Sequence, residues 1–520
     1  MEERQNNATK TISIVMVMTL LGKVLGLYRD RLLAVHYSTG MEANAFFTAS
    51  RIPRVFFDSV FASAIAACFI PVFSEYLEKK GKKEAFRFAG NFITVMALLT
   101  AALTALGMLF PQPLVALFAD YSDPATAQLA ASLTRVMFPT VLFSGVAFSL
   151  VGVLQAQDHF TAPALMSAAS NLVIILYFFL LDESMGIYGL AFAYLVGWLL
   201  QGLIQIPPLR RLDYRYRPGF SFGDEGMKKV FALMGPVMVS TWVQPINLVI
   251  NSRFGSRLFG GSGVSIMEYS TNLYLVIAGT FILSITNVIF PRLSRLTAGG
   301  QQGQFRDTLR QTIHSSLFFV LPMTAGLMVV AKPLISFIYG GGQFDAAAVE
   351  QTSTALVWLS LGMAGYALQN ILSRAYFARQ NGRVPLVAGA LSIGANILLC
   401  SLLVERFSIA GLALSSALSS TVYALLLLLP MERQGEGVLD RGMVLDFAKM
   451  TAAALVMGAC AAGVLALSAS LLPAGKVGEL VSLGLCALSG LAVYFLLAVV
   501  FGLQEAALSI SMLRQLRKRG

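Results

Sequence analysis

Gly22-Lys23-Val24-Leu25-Gly26-Leu27-Tyr28-Arg29-Asp30-Arg31 lies inside an otherwise apolar run over residues 11–36. A run of that length crosses a hydrocarbon core of about 30 Å as an α-helix. A cation at mid-bilayer costs about 2.5–3.5 kcal/mol on insertion scales, so a span that keeps Lys23, Arg29 and Arg31 has a use for them. The neighbouring run, 43–76, holds Arg51 and Arg54; Arg135 and Arg253 fall inside later apolar runs. Such cations point to a polar cavity, and to an anion as its occupant.

The rest of the chain supports a membrane setting. It is 56% hydrophobic and 12% charged, with a mean hydropathy of +0.71, values that few soluble domains reach. Fourteen apolar runs are long enough to span: 11–36, 43–76, 87–110, 127–155, 160–181, 187–209, 228–257, 264–294, 307–331, 346–377, 384–404, 408–431, 444–470 and 478–503. Backbone groups must be satisfied within each span, which predicts an all-α polytopic membrane protein with fourteen transmembrane helices. Most Lys and Arg fall in segments on the N-terminal side of the membrane, whereas the other side holds only Arg257, Lys332, Arg406 and Lys476. That asymmetry predicts cytoplasmic termini. The +11 net charge then reflects topology and attraction to membrane lipids, with no nucleic acid as partner. The first span lacks a cleavage site and is expected to stay as an anchor. Cys68, Cys400, Cys460 and Cys486 read as small buried hydrophobes without metal-type spacing, so no metal and no cofactor are expected.

The chain repeats itself. Phe69-Ile70-Pro71-Val72-Phe73-Ser74 matches Ile289-Phe290-Pro291-Arg292-Leu293-Ser294, Pro163 matches Pro385, and Gly189-Leu190-Ala191 matches Gly411-Leu412-Ala413. The shared offset of about 220 residues contains an even number of spans, so the repeats are parallel. This predicts two parallel six-helix lobes, 1–222 and 223–433, followed by two C-terminal helices in 434–520. Lobes of this kind form transporters with a site between them, near mid-membrane.

Helical geometry groups the charges. Arg51, Arg54 and Asp58 fall within about 60° on one stripe, and Lys23 and Asp30 share a face. At 1.5 Å per residue, Arg29 and Arg51 lie at similar depth below the turn near residues 38–43. A structural ion-pair network between the first two spans remains an alternative to an anion site. In the seventh span Gln244, Asn247 and Asn251 line one face beside Arg253, and the eighth span holds Glu268 and Asn272. That polar face lines the cleft or serves inter-helix hydrogen bonds. His36, His159 and His314 read as interfacial or structural. Neither G-x-x-x-x-G-K-[ST] nor H-E-x-x-H occurs, and the inner loops lack paired acids, so a transporter is expected rather than an enzyme.

Gly22-Lys23-Val24-Leu25-Gly26-Leu27-Tyr28-Arg29-Asp30, Met41-Glu42-Ala43-Asn44-Ala45-Phe46-Phe47, Arg51-Ile52-Pro53, Gly152-Val153-Leu154-Gln155-Ala156 and Arg374-Ala375-Tyr376-Phe377-Ala378-Arg379-Gln380 together resemble the MviN/MurJ family of lipid II flippases. That family shares a superfamily with MATE drug exporters and polysaccharide flippases. The resemblance runs over most of residues 11–430. It implies export of an undecaprenyl-pyrophosphate-linked glycan, lipid II, across a bacterial plasma (inner) membrane by alternating access, for peptidoglycan synthesis, by a protein expected to be a monomer. On this reading Lys23, Arg29, Arg51, Arg54, Arg253 and Asn272 bind substrate. Asp30, Asn44, Asp58 and Glu268 pair charges or gate, and the last two spans form a groove for the polyprenyl tail.

The chain departs from the family pattern at Asn44 (an aspartate there), at Phe57 and near Asn272 (cavity arginines there). Arg54 and Arg253 are then the candidates for relocated cavity charge. No carboxylate lies between Lys229 and Gly255, where some members hold sodium. Another lipid-linked polysaccharide exporter is the nearest rival; a MATE-type drug antiporter fits less well, because a cationic cleft repels organic cations.

Overall fold

The computed structural model describes residues 2–56, 65–221, 223–241, 243–433, 437–473, 475–503 and 505. Among them, regular structure is helical apart from one isolated bridge between Gly341 and Phe344. The chain divides into two compact units, Met1–Ser265 and Ile266–Gly520.

The first unit opens with α1 (Glu2–Tyr37), the tight turn at residues 38–40, and α2 (Met41–Phe56). Asp58, Phe57 and the rest of 57–64 lie outside the described residues. A π-helical turn (Ile65–Phe69) leads into α3 (Ile70–Lys79), then α4 (Gly81–Leu109), α5 (Pro111–Phe118), α6 (Pro124–Met137) and α7 (Thr140–Gln155). There follow α8 (Thr161–Leu180), α9 (Asp182–Leu203), the short α10 (Ile206–Arg211), α11 (Glu225–Thr241) and α12 (Val243–Gly255). Lipid offers little hydrophobic drive for helix association, so small residues set the approach. Gly22 and Gly26 of α1 face Ser167 and Asn171 of α8, and Gly145 of α7 faces Thr100 of α4. Asp123 caps α6 by accepting from the N–H groups of Ala125 (3.0 Å) and Thr126 (3.1 Å).

From Gly263 the chain runs through α13 (Gly263–Tyr274), a π-helical segment (Leu275–Gly279) and α14 (Thr280–Ala298). The second unit continues with α15 (Gln302–Tyr339), α16 (Ala346–Leu361), α17 (Met363–Ala378), α18 (Arg383–Arg433), α19 (Arg441–Leu471) and α20 (Lys476–Val500). Its core gathers Phe318, Ile371, Leu372, Leu427, Met450 and Tyr494. α19 and α20 pack on each other and on α15, where the Tyr494 hydroxyl donates to the Phe318 carbonyl (2.7 Å). Cys460, expected to be buried, faces outward from α19.

Local backbone features recur at the offset of the sequence landmarks. Asp345 caps α16 as Asp123 caps α6. Gln380 and Asp158 both take positive φ. α18 breaks at Ser408 (φ 53°, ψ −126°) as α9 breaks at Gly186 (φ 52°, ψ −150°). The break divides α18 where the eleventh and twelfth spans were expected to meet.

Nine described helices or helix runs are long and apolar enough to cross a membrane, and ten if the pair α16–α17, bent by 47°, counts as one. The second and seventh expected spans are described as α2 and α3 and as α11 and α12, with 57–64 and 242 outside the described residues. The α16–α17 bend rests on Gly362, where an added Cβ would stand 2.5 Å from the Ala417 Cα. Backbone at that distance cannot step aside, so Gly362→Ala should lower the apparent thermal midpoint in detergent, at an overpacking cost of about 1–3 kcal/mol. Gly463→Ala, with nothing within 4 Å, should leave the midpoint unchanged or raise it, since glycine inside a helix costs about 1 kcal/mol against alanine.

Candidate functional site

Arg29 is the centre of the charged cluster. Its Nε and Nη2 donate to Asp30 Oδ1 (3.0 and 2.6 Å), and its Nη1 donates to Asn171 Oδ1 (3.0 Å). Asn171 in turn donates to the Gly22 carbonyl (3.0 Å), across the contact that the small residues of α1 make possible. Asp30 is only 5% exposed, and a buried carboxylate of this kind needs its cation. Three donors of the guanidinium thus serve the protein, while about a quarter of the Arg29 side chain stays open.

Arg54 of α2 lies close enough to Arg29 to repel its charge, and Tyr194 of α9 also borders it. Arg54 is exposed and Lys23 half-buried. Lys23 sits two turns before Asp30 on the same face of α1. The structure therefore brings Arg29, Asp30 and Arg54 near one another. The expected partner of Arg54, Asp58, falls outside the described residues.

Asn44, Thr48 and Arg51 recur at i, i+4 and i+7 along α2, and all three are buried. The Tyr121 hydroxyl, from the α5–α6 turn, donates to the Asn44 carbonyl (3.0 Å) and shares a hydrogen bond with Thr48 Oγ1 (2.7 Å). Arg51 borders the same tyrosine. The Asn44 side chain works in both directions. Its Nδ2 donates to the carbonyls of Thr39 (2.8 Å) and Gly40 (2.6 Å), and its Oδ1 accepts from the Ser265 N–H (3.0 Å) in the first turn of α13. An amide satisfies all three partners; a carboxylate has no N–H for the carbonyls.

Other side chains stitch the same end. Ser262 Oγ donates to the Thr39 carbonyl (2.7 Å). Arg257 donates to Asp120 Oδ2 through Nε (3.0 Å) and Nη2 (2.7 Å). Arg253 donates to the Ala116 carbonyl (2.7 Å) and lies 4.0 Å from Asp120. It thus sits on the last carbonyls of α5, where a cation also meets the negative end of the helix dipole. Arg135 does the same at the end of α4, donating to the Met108 carbonyl (3.1 Å). Two cations that sequence reasoning counted as intramembrane are therefore helix-end caps, and the described partners of Arg253 all belong to the α5 end.

At the opposite end of α11–α12, the Tyr76 hydroxyl donates to Asp224 Oδ1 (3.2 Å) and accepts from the Gly226 N–H (2.9 Å). Lys80 pairs with Glu225 (3.2 Å), and Glu75 bridges Lys79 and Lys229. These pairs are exposed, so each is worth at most about 1 kcal/mol. α11 at its start and α12 at its end are thus tied to other elements of the first unit.

In the second unit, Glu268 and Asn272 are four residues apart on α13 and half-buried. Tyr269 and Ser270 hold the other face of that helix, accepting from the Tyr339 hydroxyl and donating to the Thr352 carbonyl. Sequence reasoning missed a cluster at His314, which lies between Glu505 (2.5 Å) and Asp446 (3.3 Å), with Arg310 paired to Asp440 (2.8 Å) one turn away. Nothing in the spacing of 314, 446 and 505 along the chain signals it. Glu505 is held below its usual range, because His314 and Ser315 outweigh burial.

The family model for Lipid II flippase MurJ matches residues 34–485. A probable lipid II flippase MurJ from Buchnera aphidicola is 30% identical over 429 residues, which are 81% of this chain and 83% of its own. Among solved structures, the lipid II flippase MurJ in an inward closed conformation aligns with a TM-score of 0.76 at 25% identity, covering 94% of this chain and 98% of that one. An inward-facing MATE family multidrug resistance transporter of the MOP superfamily aligns at 0.64 with 12% identity, over 82% of this chain and 98% of its own, and shares the fold alone. With the family match running from α1 into α20 and a relative this similar over most of the chain, this polytopic helical protein belongs to the lipid II flippase MurJ family.

Proposed function

We propose that this chain moves the lipid-linked peptidoglycan precursor, lipid II, from the inner to the outer leaflet of a bacterial inner membrane by alternating access. The observation that carries the reading is the Arg29 cluster: a cation fastened by Asp30 and Asn171 beside the exposed Arg54. Two like charges held close together attract an anion, and a pyrophosphate offers oxygens that suit an arginine fork. Lys23 and Arg51 extend the positive surface along α1 and α2. Asp30 keeps Arg29 in place and stops the cavity from binding its cargo too tightly to release.

The charge asymmetry of the loops favours cytoplasmic termini. In that orientation the Asn44–Ser265 and Asp120–Arg257 contacts close the exterior end, and the Glu75–Lys229 and Lys80–Glu225 pairs lie at the cytoplasmic end. Residues 1–222 and 223–433 act as the two lobes, with 434–520 serving the polyprenyl tail. A single chain supplies every residue named here.

Arg54→Ala is the cleanest test of the anion site. Arg54 is exposed, so the thermal midpoint should barely move, within about 0.5 kcal/mol of stability, yet the variant should fail to support growth of a cell depleted of its lipid II flippase. Arg29→Lys should also fail, because an ammonium cannot span Asp30 and Asn171 as the fork does. Full growth with both variants would sink the anion site.

Asn44→Asp should loosen the exterior closure, since two donors are lost and a charge faces the Thr39 and Gly40 carbonyls. With Cys460 replaced by serine and Thr48→Cys introduced, a membrane-impermeant maleimide should label the Asn44→Asp protein faster than its Asn44 parent. Equal rates would remove Asn44 from the gate.

Lipid II carrying a photoreactive tail should crosslink to α19 or α20, and a headgroup label to α1 or α2. Each CH₂ kept from water is worth about 0.8 kcal/mol, so the tail needs an apolar path while its headgroup crosses. Tail labelling spread evenly over all helices would count against a dedicated groove.

A further inference from the structure

After α10 the chain turns sharply. Asp213 takes a positive φ of 60°, and the N–H of Tyr214 reaches back to the Leu209 carbonyl (3.0 Å). Residues 214–221 then run as an extended strap across α4. The strap is pinned by Asn91, whose Oδ1 accepts from the Ser221 N–H (2.8 Å) and whose Nδ2 donates to the Ser221 carbonyl (2.8 Å). Thr94 shares a hydrogen bond with the Tyr216 hydroxyl (2.9 Å). Gly90 lets the strap lie flat, since an added Cβ would stand 2.3 Å from the Arg217 carbonyl oxygen.

Between this strap, α10, α4 and α7 lies a cavity of about 780 Å³, well within the range of small-ligand sites. Its floor is apolar, with Ile93 and Ala97 of α4 and Val146 and Leu150 of α7; its rim carries Arg210 and Arg215. Arg211 and Arg217 flank them against the single carboxylate of Asp213, so the rim is cationic. Tyr214 lines the cavity too. It is 5% exposed, and its hydroxyl is buried with no hydrogen-bond partner in the structure. A buried hydroxyl without a partner costs about 1–3 kcal/mol, which a ligand oxygen would recover. Burial pushes the phenol up from its ordinary range, so it stays protonated and can donate.

We propose that this cavity binds one anionic phospholipid of the adjoining leaflet, with an acyl chain on the Ile93–Leu150 floor and the headgroup phosphate on Arg210, Arg215 and the Tyr214 hydroxyl. An apolar floor meeting a cationic rim beside a buried, unpaired donor is the shape of a lipid at the membrane surface, and basic pockets between membrane helices take such headgroups. The leaflet is the cytoplasmic one if the proposed topology holds; the site itself does not depend on what the protein transports. The strap joins the first six spans to α11, so an occupant here would brace the link between them.

The test uses the full-length protein in phosphatidylcholine vesicles containing a minor fraction of phosphatidylglycerol with a photoreactive acyl chain. Labelled peptides should map to α4 and α7 around Ile93 and Leu150. Arg210→Gln with Arg215→Gln should reduce this labelling by about fivefold per arginine, while labelling by photoreactive phosphatidylcholine stays as it was. Tyr214→Phe keeps the ring packed against Phe86 and should reduce phosphatidylglycerol labelling several-fold with no loss of thermal midpoint. Equal labelling of this groove by the two lipids in the parent protein would overturn the proposal, as would parental phosphatidylglycerol labelling in both variants.

Discussion

A charge placed in a membrane must be met by another polar group, and the first unit is arranged around that requirement. Arg29 is met by Asp30 and Asn171, and this one junction joins a cation, its counter-ion and the α1–α8 packing. Each part depends on the others. Gly22 and Gly26 let α8 approach; the approach brings Asn171 to both the Gly22 carbonyl and the guanidinium. Removing the cation would take a bonded counter-charge from the buried Asp30, and breaking pairs of this kind costs about 3–5 kcal/mol. The neighbouring Arg54 is exposed.

The same requirement governs helix ends. A helix that stops short leaves carbonyls and N–H groups without partners, and this chain breaks helices repeatedly. Arg135 covers the end of α4 and Arg253 the end of α5, while Asp123, Asp224, Asp345 and Asp440 cover helix starts. Asn44 covers the start of α13 and at the same time holds the α1–α2 turn. One side chain thus serves a helix start and a turn at once.

The C-terminal helices follow a different logic. α19 and α20 meet each other and α15 through small and apolar side chains, with Gly458 near Ala325 and Gly490 near Met457. In the described residues their polar contacts cluster at both ends, around His314, Asp446 and Glu505 at one and around Ser336, Lys476 and Glu479 at the other. Between those ends the two helices are apolar along their length.

Much of this was legible in the residues alone. Hydropathy sets where helices cross, because the bilayer core tolerates neither loops nor unpaired backbone. The repeat offset was visible from three short landmarks, and it anticipates the matched caps at Asp123 and Asp345 and the matched breaks at Gly186 and Ser408. Arg29 and Arg54 stood out as candidates for a polar cavity from the cost of a cation in lipid. The sequence could not say which cations meet a helix end, since Arg253 looks like the others until its bond to the Ala116 carbonyl is known. It gave no hint that Asn44 would satisfy three backbone groups at once, or that His314 would meet residues far along the chain. Periodicity and composition are properties of a single helix, and they determine that helix. Partners across helices depend on distance and direction in three dimensions, and only the packed chain decides them.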